Sequence, residues 1–275
     1  MEFFLIALFG ALFSAFGTMV GFGGGVFMVP LLIIGFGVPI KVAIGSVMIA
    51  LFPSALVSTY FNSRNGTVDF ISGIVLELPT MLGTVLGAYL TAVLPVYSIE
   101  IAFSIFIVLL GIYMFGKSSK QEHRFKRETF LYKMNKFGPR IIRRSGNRAY
   151  RISFIVSLFA GIFAGMLAGF FGVGGGFMKV PIMVNLFNMP AQIAASTGLF
   201  MIVITSLTGS VSHYLLGHIT FAHSLPVVIG FFIGALVGNI LNLKVKDKTI
   251  SHLIAIGLIL AGVAVLIYGT FVGRP

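Results

Sequence analysis

Three consecutive glycines, Gly174, Gly175 and Gly176, stand inside an apolar run that is otherwise long enough to cross a bilayer. The run Met166–Pro181 reads MLAGFFGVGGGFMKVP, and Lys179 follows the glycines where a membrane helix tolerates few cations. The same arrangement occurs 151 positions earlier, as Gly21-Phe22-Gly23-Gly24-Gly25 followed by Pro30. A helix carries three adjacent glycines poorly, because each loses more backbone freedom than any other residue. One glycine-broken apolar segment in each half of a membrane chain is the usual sequence pointer to a transporter's binding site.

The two halves align at that offset of 151 without a gap. Gly23–Gly25 falls on Gly174–Gly176, Pro30 on Pro181, Pro39 on Pro190, Gly66 on Gly217 and Phe70 on Phe221. The spaced pair Gly83/Gly87 falls on Gly234/Gly238, and Gly111 on Gly262. Single glycine matches mean little in a chain with 34 of them, but this many in one register mark an internal duplication. Residues 1–116 form the first repeat, 117–151 a linker and 152–275 the second repeat.

Composition supplies the solvent. With 57% hydrophobic and 9% charged residues and a mean hydropathy of +1.05, the chain has too little polar surface for a water-facing globule. It reads as an integral membrane protein, with the lipid bilayer as its surroundings. Met1-Glu2 offers no basic region before the first apolar run, so that run is expected to be retained rather than cleaved as a signal. With no cysteine there is no disulfide, thiol chemistry or thiolate metal site.

The net charge of +12 resembles a nucleic-acid signal until it is located. Between Lys117 and Arg151 lie 12 of the 19 basic residues, against Glu122 and Glu128 alone. Outside that segment 7 basic and 5 acidic residues remain, close to neutrality. The excess belongs to one loop between helices. The positive-inside bias places that loop in the cytoplasm, and lipid headgroups rather than nucleic acid are its expected partners.

The apolar segments are Phe3–Val20, Val26–Ile34, Val42–Phe61, Phe70–Val93 and Ile99–Phe115, then Ile152–Phe171, Phe177–Phe187, Ile193–Leu216, Phe221–Leu243 and Ile250–Val272. The long ones suffice to span a bilayer and the piece after each glycine cluster does not. If the chain turns back at the glycines, the basic turn Lys244–Lys248 and Arg64 fall on the same side as the linker. Each half then makes an odd number of passes and the repeats are inverted. Four passes per half, with parallel repeats, is the alternative. The expected fold is thus an all-α integral membrane protein of two homologous, inverted repeats with glycine-broken, re-entrant segments.

The chain resembles the sulfite exporter TauE/SafE family, also called the toluene-sulfonate uptake permease family. The resemblance is carried by Gly21-Phe22-Gly23-Gly24-Gly25 with Val29-Pro30-Leu31-Leu32, and by Gly169-Phe170-Phe171-Gly172-Val173-Gly174-Gly175-Gly176 with Val180-Pro181. Ala194-Ala195-Ser196-Thr197 and Gly217-His218-Ile219 also fit. It covers both halves, while the basic linker is longer than the family leads one to expect. The resemblance implies a multi-pass permease or exporter of a bacterial inner membrane that moves sulfite, organosulfonates or related sulfur-containing anions.

The residues favour an anion on their own terms. A helix that starts directly after a glycine loop presents free N–H groups and the positive end of its dipole. The candidate binding or gating residues are therefore Gly23, Gly24, Gly25, Gly174, Gly175 and Gly176, with Lys179 as the cation. Ser46 and Thr197, equivalent across the repeat, and Gln192 are the candidate hydroxyl and amide contacts. Close helix packing is the competing reading for the triplets and the preferred one for Gly83/Gly87 and Gly234/Gly238. Such small-residue pairs suit a homodimer as well as internal contacts. Lys179 is alternatively a snorkelling residue. Glu77 is the one acid deep in an apolar segment; with His213 it is the candidate for proton coupling, or else for a static ion pair or hydrogen bond. His218, His223 and His252 lie near loops and receive no role.

No Ser-His-Asp arrangement, metal-ligand cluster or phosphate loop appears, so neither an enzyme nor a cofactor is expected. An anion channel, a carrier of a different small anion, or a membrane scaffold are the alternatives to a sulfur-anion carrier.

Overall fold

A computed structural model describes residues 1–118, 139–145, 148–241 and 248–271. The first half contains α1 (Glu2–Val20), α2 (Gly25–Phe36), α3 (Ile40–Arg64), α4 (Phe70–Val93) and α5 (Val96–Ser118). A hairpin of β1 (Arg140–Ser145) and β2 (Arg148–Ser153) follows. The second half repeats the helical order with α6 (Phe154–Phe171), α7 (Gly176–Asn185), α8 (Ala191–Leu215), α9 (Phe221–Leu241) and α10 (Lys248–Phe271).

Seven of these helices, α1, α3, α4, α5, α6, α8 and α9, are long and apolar enough to cross a membrane. Their outer faces carry large exposed apolar side chains such as Leu78, Leu82, Phe159, Leu207 and Ile240, which water would not support and lipid does. The chain is an all-α integral membrane protein.

The glycine triplets end one helix and start the next. Gly24 and Gly175 occupy the N-cap positions of α2 and α7 with φ of 85° and 74°, a left-handed conformation that side chains resist. The chain reverses there. Phe27, three residues past Gly24, packs back on Phe13 of α1 with ring centroids 5.7 Å apart. Pro39 and Pro190, equivalent in the repeat, then stand at the starts of α3 and α8.

Helix packing is reciprocal between the halves. α1 lies along α9 while its counterpart α6 lies along α4, and α3 packs on α9 as α8 packs on α4. These interfaces are built on small residues: a methyl group at Gly83 would stand 2.1 Å from Ile162 O, and one at Gly234 would stand 2.1 Å from Ala11 O. Backbone meets backbone there, so the spaced glycine pairs are consumed inside the chain. Contacts between equivalent helices run in opposite sense. Met48 of α3 meets Gly209 of α8 while Asn62 reaches Ser196, and Glu100 of α5 meets Gly269 of α10 while Gly111 meets Ala255.

The basic linker is not only a loop. Ile141 pairs with Ile152 and Arg143 with Tyr150 across the hairpin. Tyr150 and Ile152 pack with Leu76, Met183, Phe187 and Met189, capping one end of the second half. The alternation Ile141-Arg143 against Tyr150-Ile152, about Gly146-Asn147, is a strand signal that the surrounding charge obscures. Residues 119–138, which hold much of the positive charge, lie outside the described residues.

Candidate functional site

The two glycine loops meet at the centre of the molecule. A methyl group at Gly176 would stand 2.8 Å from Gly21 O, and one at Gly25 would stand 3.4 Å from Gly172 O. Gly23, Gly24, Gly25, Gly174, Gly175 and Gly176 are all buried. The sequence places these loops in different halves, and the fold puts them in contact.

Lys179 lies in the first turn of α7, and its Nζ donates to Glu77 Oε2 on α4 at 2.8 Å. Thr205 of α8 closes the group: its hydroxyl accepts from Lys179 Nζ, donates to Glu77 Oε1 and lies 3.0 Å from Met201 O. Lysine and glutamate side chains are 2% and 1% exposed, so the cation is paired inside the protein and does not snorkel. Lys179 Cε also stands 3.2 Å from where a methyl group on Gly175 would sit. Glycine loop, helix N-terminus, ammonium and carboxylate thus form one cluster. The α7 dipole and the ammonium both favour negative charge, and the Glu77 carboxylate is the anion that meets them.

The first half has no such group. Positions equivalent to Lys179, Glu77 and Thr205 are Met28, Val228 and Ser54. Ser54 Oγ lies 2.9 Å from Ser14 Oγ, which donates to Phe231 O at 2.7 Å. Beside the first loop lies an apolar cavity of about 10 Å³, touched by Phe22, Gly24, Phe27, Leu110 and Met114. The backbone is duplicated and the charge is not.

The remaining candidates fall in three places. Ser46 is buried with its Oγ 2.9 Å from Ser224 Oγ of α9. Thr197 is buried and accepts from the Asp69 N–H at 3.0 Å. They lie at opposite ends of the α3–α8 contact. Gln192 is exposed in the first turn of α8, apart from the buried cluster. His213 is fully buried, with Nε2 2.9 Å from Gly169 O and Nδ1 2.9 Å from His218 Nδ1. A carbonyl only accepts, so Nε2 carries the proton and, in the neutral ring, Nδ1 accepts from His218. His218 therefore has a partner that its loop position in the sequence conceals. Burial and the neighbouring Lys41 both lower the His218 pKa.

Asp69, which no sequence motif marks, anchors a second buried polar group. It caps α4, accepting from Ser72 N at 3.2 Å and from the Ser72 hydroxyl. Arg143 of the hairpin binds it through two nitrogens at 3.2 and 3.3 Å, and Tyr150 Oη donates to it at 2.5 Å. Burial pushes the Asp69 carboxyl upward, but hydrogen bonds from Ser72, Tyr150 and Arg143 outweigh this and hold it below its ordinary value. The signal available was an Asp three residues before Ser72 at a helix start.

A duplicated, helical, multi-pass protein with broken helices meeting at a buried charged cluster defines a membrane transporter. The sulfite exporter TauE/SafE family profile matches residues 6–265, and the chain belongs to that family. The probable membrane transporter protein YunE of Bacillus subtilis is 30% identical over 280 residues, covering 98% of this chain and 100% of the relative. A probable membrane transporter protein of Methanocaldococcus jannaschii is 22% identical, covering 89% of this chain and 88% of its own. Another, of Xylella fastidiosa, is 23% identical, covering 90% and 88%. No solved structure matches the chain.

Proposed function

We propose that this permease is a secondary transporter of sulfite, an organosulfonate or a related sulfur-containing anion, working by alternating access across a bacterial inner membrane. The observation that carries the reading is the Lys179–Glu77–Thr205 cluster at the glycine-capped start of α7. A buried cation held by a single carboxylate, at the positive end of a helix, is a site suited to exchange one anion for another. In this structure Glu77 fills it. When Glu77 takes a proton, Lys179 and the Thr205 hydroxyl are released to bind the sulfur oxyanion, with the N–H groups after Gly175 completing its shell. Release of the anion restores the ion pair and returns the proton. Anion and proton thereby occupy the site together, which couples their movement.

Opposite sense in the α3–α8 and α5–α10 contacts supports inverted repeats, so that rocking of one half against the other exposes the site to each side in turn. The basic linker, placed in the cytoplasm by its charge, orients the chain. The buried, backbone-to-backbone meeting of the glycine loops favours a carrier over an open pore.

The test is uptake by purified protein in liposomes of sulfite, a short alkyl sulfonate, sulfate and chloride, at inward and outward proton gradients. Saturable sulfite or sulfonate flux that responds to the gradient supports the reading. Absence of flux for every sulfur oxyanion in either direction would overturn the substrate class.

A further inference from the structure

Two aliphatic residues that no motif singles out occupy the space between the glycine loops. Leu51 of α3 and Ile202 of α8 are equivalent in the repeat, 151 positions apart, and each is 0% exposed. Both touch both loops. A methyl group at Gly23 would stand 2.7 Å from Leu51 Cδ2 and 3.5 Å from Ile202 Cδ1. One at Gly174 would stand 2.9 Å from Leu51 Cδ1 and 3.3 Å from Ile202 Cγ2. The contacts continue outward in mirror fashion, with Leu51 3.3 Å from a methyl group at Gly25 and Ile202 2.8 Å from one at Gly176.

We infer that Leu51 and Ile202 form the central gate of the transporter, a hydrocarbon plug that separates the two ends of the translocation path. The inference rests on the transporter reading above and adds the residues that hold the path shut. Ser46 and Thr197 lie on α3 and α8 before Leu51 and Ile202, and these helices run in opposite sense, so the two polar positions fall on opposite sides of the plug. An anion resting between the glycine loops has to displace one or both side chains, because their methyl groups crowd the very positions that a Cβ on Gly23 or Gly174 would take. Such a constriction excludes ions by leaving no place for their hydration shells. Since α3 and α8 belong to different halves, parting them draws Leu51 and Ile202 away from one another. The charged cluster stands beside the second glycine loop and the small apolar cavity beside the first, so the plug lies between a charged and an uncharged neighbourhood.

The test reads leak rather than transport. Wild-type and Leu51→Ala/Ile202→Ala proteins are reconstituted in liposomes loaded with iodide, with no sulfur anion present, and iodide efflux is followed with an electrode. An increase of about tenfold over wild type is expected from removing a hydrophobic constriction. Ile99→Ala/Ile107→Ala, which empties similar buried volume in α5 at side chains that are not among the nearest contacts of the loop glycines, is expected to leak no more than wild type. Wild-type efflux from a monodisperse, helical double-alanine protein would overturn the inference, as would equal leak from the α5 control. If the double-alanine protein does not fold, Leu51→Val/Ile202→Val decides, with a smaller rise expected and wild-type efflux overturning. Iodide efflux is independent of the cargo, so failure of sulfite uptake by wild type tells against the proposed substrate alone.

Discussion

Glu77 and Lys179 lie 102 positions apart on helices of different halves, and their side chains meet at 2.8 Å with almost no exposure to solvent. An ion pair taken out of water is costly to assemble, and removing one partner leaves an uncompensated charge, typically at a loss of about 3–5 kcal/mol. The duplicated fold supplies its own control. At the equivalent place Met28 of the first half and Val228 of the second belong to one apolar cluster, so the same backbone tolerates an apolar pair.

Lys179→Met and Glu77→Val are therefore each expected to lower the melting temperature sharply, and the double variant to recover most of the loss. Sulfite flux is expected to stay absent in all three. Thermal unfolding in detergent, read by circular dichroism, checks the first statement, and proteoliposome uptake checks the second. A double variant as unstable as the singles would contradict the account of the pair.

Glu77→Gln keeps the shape of the cluster and removes the titration. Uptake by this variant is expected to lose its dependence on the proton gradient, while wild-type uptake follows it. Flux measured at fixed substrate across an imposed pH difference decides this, and an unchanged pH response would assign the coupling elsewhere, with His213 and His218 next in line.

The two N-cap glycines are predicted to fail differently. A methyl group at Gly24 would stand 2.3 Å from Phe13 O, a backbone atom that cannot move aside, so Gly24→Ala is expected to unfold the first half or abolish expression. At Gly175 the nearest atoms are Ala168 Cβ at 3.1 Å and Lys179 Cε at 3.2 Å, the latter on a flexible side chain. Gly175→Ala is expected to fold, at a strain of about 1–2 kcal/mol for the left-handed conformation, and to lose flux because Lys179 is displaced. Expression yield set against uptake separates the two.

Asp69→Asn removes the charge and one of the two acceptor oxygens that tie the hairpin to α4. Charge-assisted hydrogen bonds contribute roughly 1.5–3 kcal/mol each where buried, so a clear fall in melting temperature and faster cleavage of the linker by trypsin are expected. The pH dependence follows from the lowered carboxyl. A group held below its unfolded value of 3.8 contributes stability above that pH and loses it as pH falls through the folded value. Hairpin protection is therefore expected to be flat from neutral pH down to about 4 and to fail below it.

Much of this arrangement is legible in the residues because membrane solvation makes departures from apolar sequence costly. Glycine triplets, Lys179 and Glu77 stand out for that reason, and the offset of 151 reveals the duplication. What stays hidden is pairing across the halves. Nothing local to Thr205 distinguishes it from Ser206 or Thr208, since its role depends on α4 and α7 arriving at the same face of α8. Leu51 and Ile202 are ordinary aliphatic residues in ordinary helices, and only the meeting of the glycine loops gives them a place. Asp69, Arg143 and Tyr150 are obscured by a basic linker whose charge reads as a solvated loop, although its alternating Ile and Tyr positions favour strands.

The central claim is that Lys179 receives the transported anion. It is tested most directly by sulfite and sulfonate uptake into proteoliposomes containing wild type, Lys179→Ala or Lys179→Arg at equal amounts of folded protein. Saturable uptake in wild type, partial retention with arginine and loss with alanine are the predicted results. Wild-type uptake by Lys179→Ala would contradict the claim.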